Sequence, residues 1–389
     1  MAKPLHRDLL HRQGNLALGA AATIELAWRS LHLRSQSNCR PMDAKVAPTY
    51  APGPKFKKPV PMTPPLTAFD PAYLERKAKL PEQIFKLSSG KQFGYFAEGN
   101  SEDPAIVCFA SAGFNISSLI PPAPVPGLYV VYVNQMGHGS SSPLTAPIVF
   151  SEAVPEVIEL VDGLKIDKFY TCGHSCGGVY AMQIAAAHPD RVLGCAVISS
   201  PGCLRHPTVS KKELKVIDKI GSADLGSPGC WGSFVRSMMS GCYYYPDKTK
   251  DFGFAGHSAG GYGYYKSKAT GGAPKAMESD HYFVSKMLDA ELNGANSKNG
   301  LVHEMAGVYS ANGWSYDIAD IKCKSFLYVE SEGEVPQPYM ELNHRLIPGS
   351  ELLIWEAHGH VSIAMEFAGI VTALVQGKLF PGDYGAKGC

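Results

Sequence analysis

Short runs of consecutive apolar residues alternate with stretches of helical periodicity between about residues 105 and 376. Continuous apolar runs indicate strands covered on both faces, and helices between them indicate parallel neighbours. The predicted strands are Ala105–Phe109, Leu128–Val133, Phe169–Cys172, Val192–Ile198, Ser325–Val329 and Leu352–Trp355, after a hairpin formed by Gln83–Leu87 and Lys91–Phe96. The predicted helices are Val154–Leu164, Val179–Ala187, Pro338–Leu346 and Ile363–Gln376. The alternation predicts an α/β fold with a mostly parallel central sheet and helices on both faces.

The chain divides into three regions by composition. Residues 1–47 form a basic N-terminal extension, and residues 48–69 are rich in Pro and Lys, which is typical of an extended linker. The folded domain is predicted to span 70–389. Within it the alternation stops between about residues 202 and 320, where Gly, Tyr and Ser are abundant. That stretch is too long for a plain loop, so we expect an inserted, partly helical cap.

Charge is distributed unevenly along the chain. Residues 1–66 carry ten Lys and Arg against three Asp and Glu, whereas the remainder carries 26 against 32. The body therefore lacks the basic surface that nucleic-acid binding requires, and no nucleic-acid partner is expected. A basic, acid-poor, weakly amphipathic extension is typical of a transit segment for the mitochondrion or plastid. A secretory signal, or an untargeted extension on a cytoplasmic protein, is the alternative. No run of about 18–20 apolar residues occurs, so no membrane span is expected.

The most specific motif is Gly-His-Ser-Cys-Gly at residues 173–177. A buried strand ends just before it at Cys172, and a helix of small residues follows it. On such a tight strand-to-helix turn, Gly173 and Gly177 let the neighbouring backbone pack closely around a strained Ser175. The helix N-terminus favours negative charge that develops beside the serine hydroxyl. Ser175 is therefore the candidate nucleophile, and a helix-capping serine in a Gly-rich turn is the alternative.

The same Gly-x-Ser-x-Gly pattern recurs at residues 256–260, with Ser258 at its centre. No buried strand precedes this copy, and the Gly- and Tyr-rich residues after it are poor helix formers. Ser258 is therefore interpreted as a loop serine.

A serine nucleophile needs a base, and the base needs an orienting carboxylate. His360 follows the predicted strand Leu352–Trp355, which places it at the carboxyl edge of the sheet with Ser175. His358 is the competing histidine. The preceding strand runs into a loop that offers three carboxylates, Glu330, Glu332 and Glu334. Glu330 is still close to the strand, and Glu334 is at the far end of the loop.

With Ser175, a glutamate and His360 in that chain order, the sequence resembles the α/β-hydrolase superfamily over roughly residues 80–380. Residues 134–141 (NQMGHGSS) are similar to the family segment D-x-R-G-x-G-x-S, with Asn134 and Met136 in place of Asp and Arg. Residues 314–321 (WSYDIADI) are similar to the cap-exit segment of esterase-like members. The resemblance implies an α/β-hydrolase fold and places the acid at Glu334, with Glu332 as the alternative.

The resemblance also implies an oxyanion hole built from two backbone N–H groups. One belongs to Cys176, and the other to Ala112 or, alternatively, Ser111, in a loop that lacks the usual His-Gly of the family. The expected activity is that of a cofactor-independent serine hydrolase, with no metal, that cleaves an ester-like bond in a small-molecule acyl or aromatic substrate. Acyl transfer, C–C hydrolysis, a lyase reaction and a silent ligand-binding member are the alternatives, and the oligomeric state stays open.

Overall fold

A computed structural model describes residues 69–218, 280–297, 300–310, 313–330, 335–355, 358–360 and 362–382. The predicted extension, nearly all of the predicted linker and Ser258 lie outside these ranges, as do Glu332 and Glu334. Predictions about those residues therefore stay predictions.

The described residues form one eight-stranded sheet in the order β1-β2-β4-β3-β5-β6-β7-β8. β1 and β2 pair antiparallel, β2 pairs antiparallel with β4, and all other neighbours are parallel. The strands are β1 Gln83–Lys86, β2 Gln92–Glu98, β3 Ala105–Phe109, β4 Tyr129–Val133, β5 Phe169–His174, β6 Val192–Ile198, β7 Lys324–Glu330 and β8 Glu351–Trp355. The hairpin and all six predicted strands are present, and the predicted α/β-hydrolase fold class is confirmed.

Helices pack on both faces of this sheet. They are α1 Pro71–Lys79, α2 Phe150–Gly163, α3 Cys176–Ala187, α4 Lys211–Ile217, α5 His281–Leu292, α6 Gly300–Val308, α7 Gln337–Leu346 and α8 Phe367–Val375, with short 3-10 turns at Ile116–Leu119, Ile318–Asp320 and Ser362–Glu366. Side chains of α2, α3 and α7 belong to one hydrophobic cluster, and those of α5 and α8 belong to the other.

Strand β3 shows why the apolar runs are continuous. Val107 and Phe109 point into the first cluster, whereas Ile106 and Cys108 point into the second. Because successive side chains of a strand face opposite sides, a strand buried on both faces must be apolar at every position.

The observed helices depart from the sequence expectation at several of their ends, and most clearly at α1 and α2. α1 was not predicted, although Asp70 accepts hydrogen bonds from the first-turn backbone and Pro71 opens the helix, which is a typical start signal. α2 begins at Phe150 instead of residue 154. Phe150 and Ala153 are buried and extend the apolar face of the helix toward its N-terminus, past Pro155.

Helices α4, α5 and α6 lie in the chain segment between β6 and β7, where the cap insertion is predicted. We call residues 280–297 and 300–310 the return segment, because they lead the chain back toward the sheet. The segment contacts the loops after β3 and β4 through backbone hydrogen bonds, including one from Asn115 N–H to Ala290 O (2.8 Å) and one from Gly139 N–H to Gly294 O (2.9 Å). Among the described helices, none is long and apolar enough to cross a membrane.

Two isoleucines provide a test of the sheet assignment. Ile106 on β3 is fully buried, whereas Ile84 on the edge strand β1 is 46% exposed. Ile106→Ala should lower the free energy of unfolding by about 2–5 kcal/mol, because it removes buried methyl groups and leaves a cavity. The control Ile84→Ala should cost less than about 1 kcal/mol. Urea unfolding measures both, and equal costs would contradict the central position of β3.

Candidate active site

Ser175 occupies the turn between β5 and α3. Its backbone has φ 55° and ψ −125°, a conformation that residues other than glycine rarely adopt. The surrounding backbone holds this strain: Ser175 N–H donates to Ile198 O (2.7 Å), and Gly178 N–H donates to Ser175 O (2.9 Å). The serine sits at the N-terminus of α3 and is only 7% exposed.

The two glycines of the motif are required by close backbone contacts. A Cβ at residue 173 would lie 2.0 Å from Gly177 O, and a Cβ at residue 177 would lie 2.4 Å from Phe109 O. No side chain can be accommodated at these distances without displacing backbone. β5, α3 and the end of β3 therefore meet at the turn that carries Ser175.

His360 lies on the loop after β8 and faces the last residue of β7. Its Nδ1 is 3.1 Å from Oε1 of Glu330, whose side chain is fully buried, and the Ser199 hydroxyl donates to the other carboxylate oxygen of Glu330. With Nδ1–H donating to the carboxylate, Nε2 keeps the lone pair that a general base requires.

His360 also lies beside the turn of Ser175. The ring of His174, the residue before the serine, is 4.8 Å from the His360 ring, and its Nε2 is 2.9 Å from His360 O. Burial, followed by the neighbouring His360, holds the pKa of His174 well below its usual range, so His174 is neutral. The structure thus brings Ser175, His360 and a buried carboxylate to one edge of the sheet.

Glu330, which contacts His360, is one of the three carboxylates that the sequence offers, whereas the family resemblance favours Glu334. Glu334 and its alternative Glu332 lie outside the described residues, and among the described residues the partner is Glu330. A signal for Glu330 was present, since it directly ends an apolar strand and a buried carboxylate needs partners.

His358, the competing histidine, is also buried but faces a different carboxylate. Its Nε2 lies 3.1 Å from Glu366 Oε1, and its ring lies against Trp355. The structure thus gives the two histidines of this loop different carboxylate partners.

The loop after β3 carries both candidate positions for the second oxyanion donor, Ser111 and Ala112. A Cβ on Gly177 would lie 2.5 Å from Ala110 O, so the start of this loop lies against the start of α3. Burial, then the nearby Glu304 carboxyl, raises the pKa of the Cys176 thiol well above its usual value, and the Ala112 N–H opposes this. Cys176 is therefore an inert thiol that offers the site its backbone.

Residues 134–138, which follow β4, hold this loop in place. Gln135 Nε2 donates to Ala110 O (2.6 Å), Gly113 N–H donates to His138 Nε2 (2.9 Å), and Ile116 N–H donates to Asn134 Oδ1 (2.8 Å). The family resemblance of this segment is visible in the sequence, but its role as a support for the loop is visible only in the structure. Asn134, which departs from the family aspartate, acts here through its amide oxygen.

A buried lysine of the return segment also lies near the site. Lys286 on α5 is 3% exposed, its Nζ lies 3.5 Å from Ile120 O, and it stands 5.1 Å from the centroid of the Phe283 ring. Burial lowers the pKa of Lys286 to about 8, with Asp280 opposing the shift. Its charge contributes to the lowered pKa of His174, which places it close to the histidine pair.

A family model described as the alpha/beta hydrolase fold matches residues 108–221, a range that includes Ser175 and the loop after β3 but neither Glu330 nor His360. An enol-lactonase structure from Burkholderia xenovorans aligns with a TM-score of 0.51 and 18% identity, covering 76% of this chain and all of that one. The sheet order, the strained serine turn and these matches define an α/β-hydrolase fold. Residues 108–221 thus resemble the α/β-hydrolase superfamily, and the described residues have its fold.

Curated relatives match over shorter ranges. The dihydrolipoyllysine-residue acetyltransferase component of an acetoin cleaving system from Cupriavidus necator is 37% identical over 73 residues, which is 19% of this chain and 20% of the relative. A human serine hydrolase-like protein is 30% identical over 129 residues, 31% of this chain and 63% of the relative. The chain therefore spans about a fifth of the first of these relatives and under two thirds of the second.

The close contacts at the turn predict a large cost for a single methyl group. Gly173→Ala should lower the free energy of unfolding by about 3 kcal/mol or more, because its Cβ would overlap the Gly177 carbonyl. Gly90→Ala is the control: a Cβ there would meet nothing within 4 Å, so only its left-handed backbone (φ 84°) opposes the change, and about 1–2 kcal/mol is expected. Urea unfolding compares them, and a smaller cost at residue 173 would refute the contact.

Proposed function

We propose that this chain is a cofactor-independent serine hydrolase that cleaves an ester-like acyl bond. The observation that carries the proposal is the strained Ser175 at a helix N-terminus, on the same sheet edge as a histidine bonded to a buried carboxylate. A serine hydroxyl is a weak nucleophile on its own and becomes effective only beside such a base.

In the proposed mechanism His360 Nε2 removes the proton of Ser175 as the serine oxygen attacks the acyl carbonyl. The Glu330 carboxylate orients the imidazole and stabilises the imidazolium that forms. His360 then returns the proton to the leaving oxygen, which leaves an acyl-enzyme. Water, deprotonated by His360, attacks the acyl carbon and releases the acid and free Ser175.

The tetrahedral oxyanion would be held by backbone N–H groups of Cys176 and Ala112. Cys176 is the first residue of α3, so its N–H lies at the positive end of the helix dipole. The loop that carries Ala112 leaves β3 where Phe109 and Ala110 pack against Gly177 at the start of α3, which brings its backbone to the same part of the site. Both donors are fixed before the reaction, which is the condition for strong stabilisation of developing charge.

The substrate is proposed to be a small molecule with an apolar acyl or aromatic group. This proposal depends on the many tyrosines of the predicted cap, including Tyr243–Tyr245, which lie outside the described residues. A location in an organelle, from the N-terminal extension, is likewise proposed on sequence alone.

Labelling by a fluorophosphonate probe tests the nucleophile and the base. Full-length wild type should become covalently labelled, and Ser175→Ala and His360→Ala should abolish labelling because they remove the attacking oxygen and its base. Ser258→Ala is the matched control and should label as wild type. A folded wild type that stays unlabelled would refute the catalytic proposal. Labelling without turnover of a p-nitrophenyl ester panel would favour transferase, lyase or C–C bond chemistry.

The identity of the acid is tested by comparing three isosteric variants. Glu330→Gln should lower the second-order rate constant of labelling by about 10³–10⁴-fold, because a neutral amide no longer fixes the His360 tautomer or stabilises its charge. Glu332→Gln and Glu334→Gln are controls expected to label within a fewfold of wild type. A large loss in Glu334→Gln with none in Glu330→Gln would instead support the acid implied by the family resemblance.

A further inference from the structure

Glu304 is a fully buried carboxyl group for which the proposed mechanism has no use. It lies on α6 of the return segment, and neither of its oxygens has a hydrogen-bond partner among the described residues. Its nearest polar neighbour is His138, whose Nε2 is 3.3 Å from Glu304 Oε2. Burial without partners raises the pKa of Glu304 to about 8, so the group is a neutral carboxylic acid at pH 7.

His138 is also fully buried, and its two nitrogens have different roles. Nε2 accepts the hydrogen bond from Gly113 N–H at 2.9 Å, and Nδ1 lies 3.3 Å from Met136 O. A neutral imidazole with Nδ1–H and a lone pair on Nε2 satisfies both contacts. Burial lowers the pKa of His138 to about 4, which keeps the ring in this neutral form.

The charge of Glu304 decides whether that arrangement persists. A carboxylate 3.3 Å from Nε2 would face a lone pair, which is repulsive unless Nε2 gains a proton. If Nε2 is protonated it becomes a donor to Glu304, and Gly113 N–H loses its acceptor. The hydrogen bond to Gly113 therefore requires Glu304 to be protonated.

That hydrogen bond belongs to the loop proposed to hold the oxyanion. The hydrogen bond from Gly113 N–H to His138 Nε2 orients the peptide group between Ala112 and Gly113. Ala112 itself lies against the start of α3. The return segment supports the same loop on its other side. Asn115 N–H donates to Ala290 O, and a Cβ at residue 294 would lie 1.8 Å from Gly113 O.

We propose that Glu304 and His138 are positioning residues for the oxyanion loop: the protonated carboxyl of Glu304 keeps His138 in the tautomer that accepts the Gly113 N–H. The inference rests on the proposed serine-hydrolase function. It assigns the return segment a role in holding the loop, and it makes activity depend on a proton that stays bound to Glu304.

Other titratable groups face Glu304 or ionise in the same pH range. The Cys176 thiol and the Tyr180 hydroxyl, both on α3, are close enough to have their pKa values raised further by Glu304, after the larger effect of burial. Both stay protonated at neutral pH. Among the described residues, no Lys or Arg forms an ion pair with Glu304. Lys286, whose pKa is about 8, lies near His174 and is the group that needs a control.

The test is the pH dependence of fluorophosphonate labelling of the full chain, measured from pH 6 to pH 9.5. Because Glu304 ionises near pH 8 and only its protonated form supports the loop, the wild-type rate constant should fall about fivefold between pH 8 and pH 9. Glu304→Gln is nearly isosteric and has no proton to lose, so its rate constant should stay level over this range. Lys286→Met is the matched control and should keep the wild-type fall.

A second measurement detects the ionisation of Glu304 without depending on a labelling rate. After labelling at pH 7, the ³¹P chemical shift of the Ser175 adduct should titrate near pH 8 in wild type and in Lys286→Met, and stay constant in Glu304→Gln. A titration that disappears in Lys286→Met, or no fall in wild type, would overturn the role of Glu304. If Glu304→Gln does not fold, the test rests on Lys286→Met. A labelling rate constant that still falls above pH 8 in this variant supports the proposal, and a rate constant that no longer falls overturns it. A folded wild type unlabelled at every pH would instead refute the proposed function.

Discussion

The backbone contact between α3 and β3 is the constraint on which the rest of the site depends. Gly177 lies so close to the carbonyl oxygens of Phe109 and Ala110 that a methyl group would overlap both. The helix that begins at the serine and the strand that leads into the oxyanion loop are therefore held at one separation. Ser175 and Cys176 lie next to this contact on the side of α3, and Ala112 lies next to it on the side of β3. The contact therefore fixes the position of the nucleophile relative to the proposed oxyanion donors.

Most of the sheet could be predicted from the sequence because burial on both faces demands apolar residues at every strand position, as β3 shows. The turn at Ser175 was recognisable because its two glycines are required by close backbone packing as well as matching a motif. α1 was less visible, since it is largely polar and only Tyr73 along it is buried. Helix starts such as that of α2 depend on which side chains find a partner across the fold, and periodicity alone does not carry that information.

The candidate site was predictable for residues placed by local structure and not for those placed by tertiary contacts. Ser175 and His360 follow strand ends, where sequence position implies spatial position. Which of three glutamates within five residues contacts His360 is a tertiary property, and the position of Glu330 at the end of an apolar strand did not by itself decide it. His138 and Glu304 are separated by 166 positions, so the sequence around either residue could not predict their contact at 3.3 Å.

Glu330 is the last paired residue of β7, and its ladder partner on β8 is Trp355, five positions before His360. The carboxylate is therefore part of the sheet itself, and the histidine is attached to the neighbouring strand by a short connection. Their separation is set by the spacing between adjacent strands, about 4.8 Å, and by the ladder hydrogen bonds that maintain it. The carboxylate is consequently as stiff as the sheet. Heating should release it only when β7 and β8 themselves separate, as one cooperative unit.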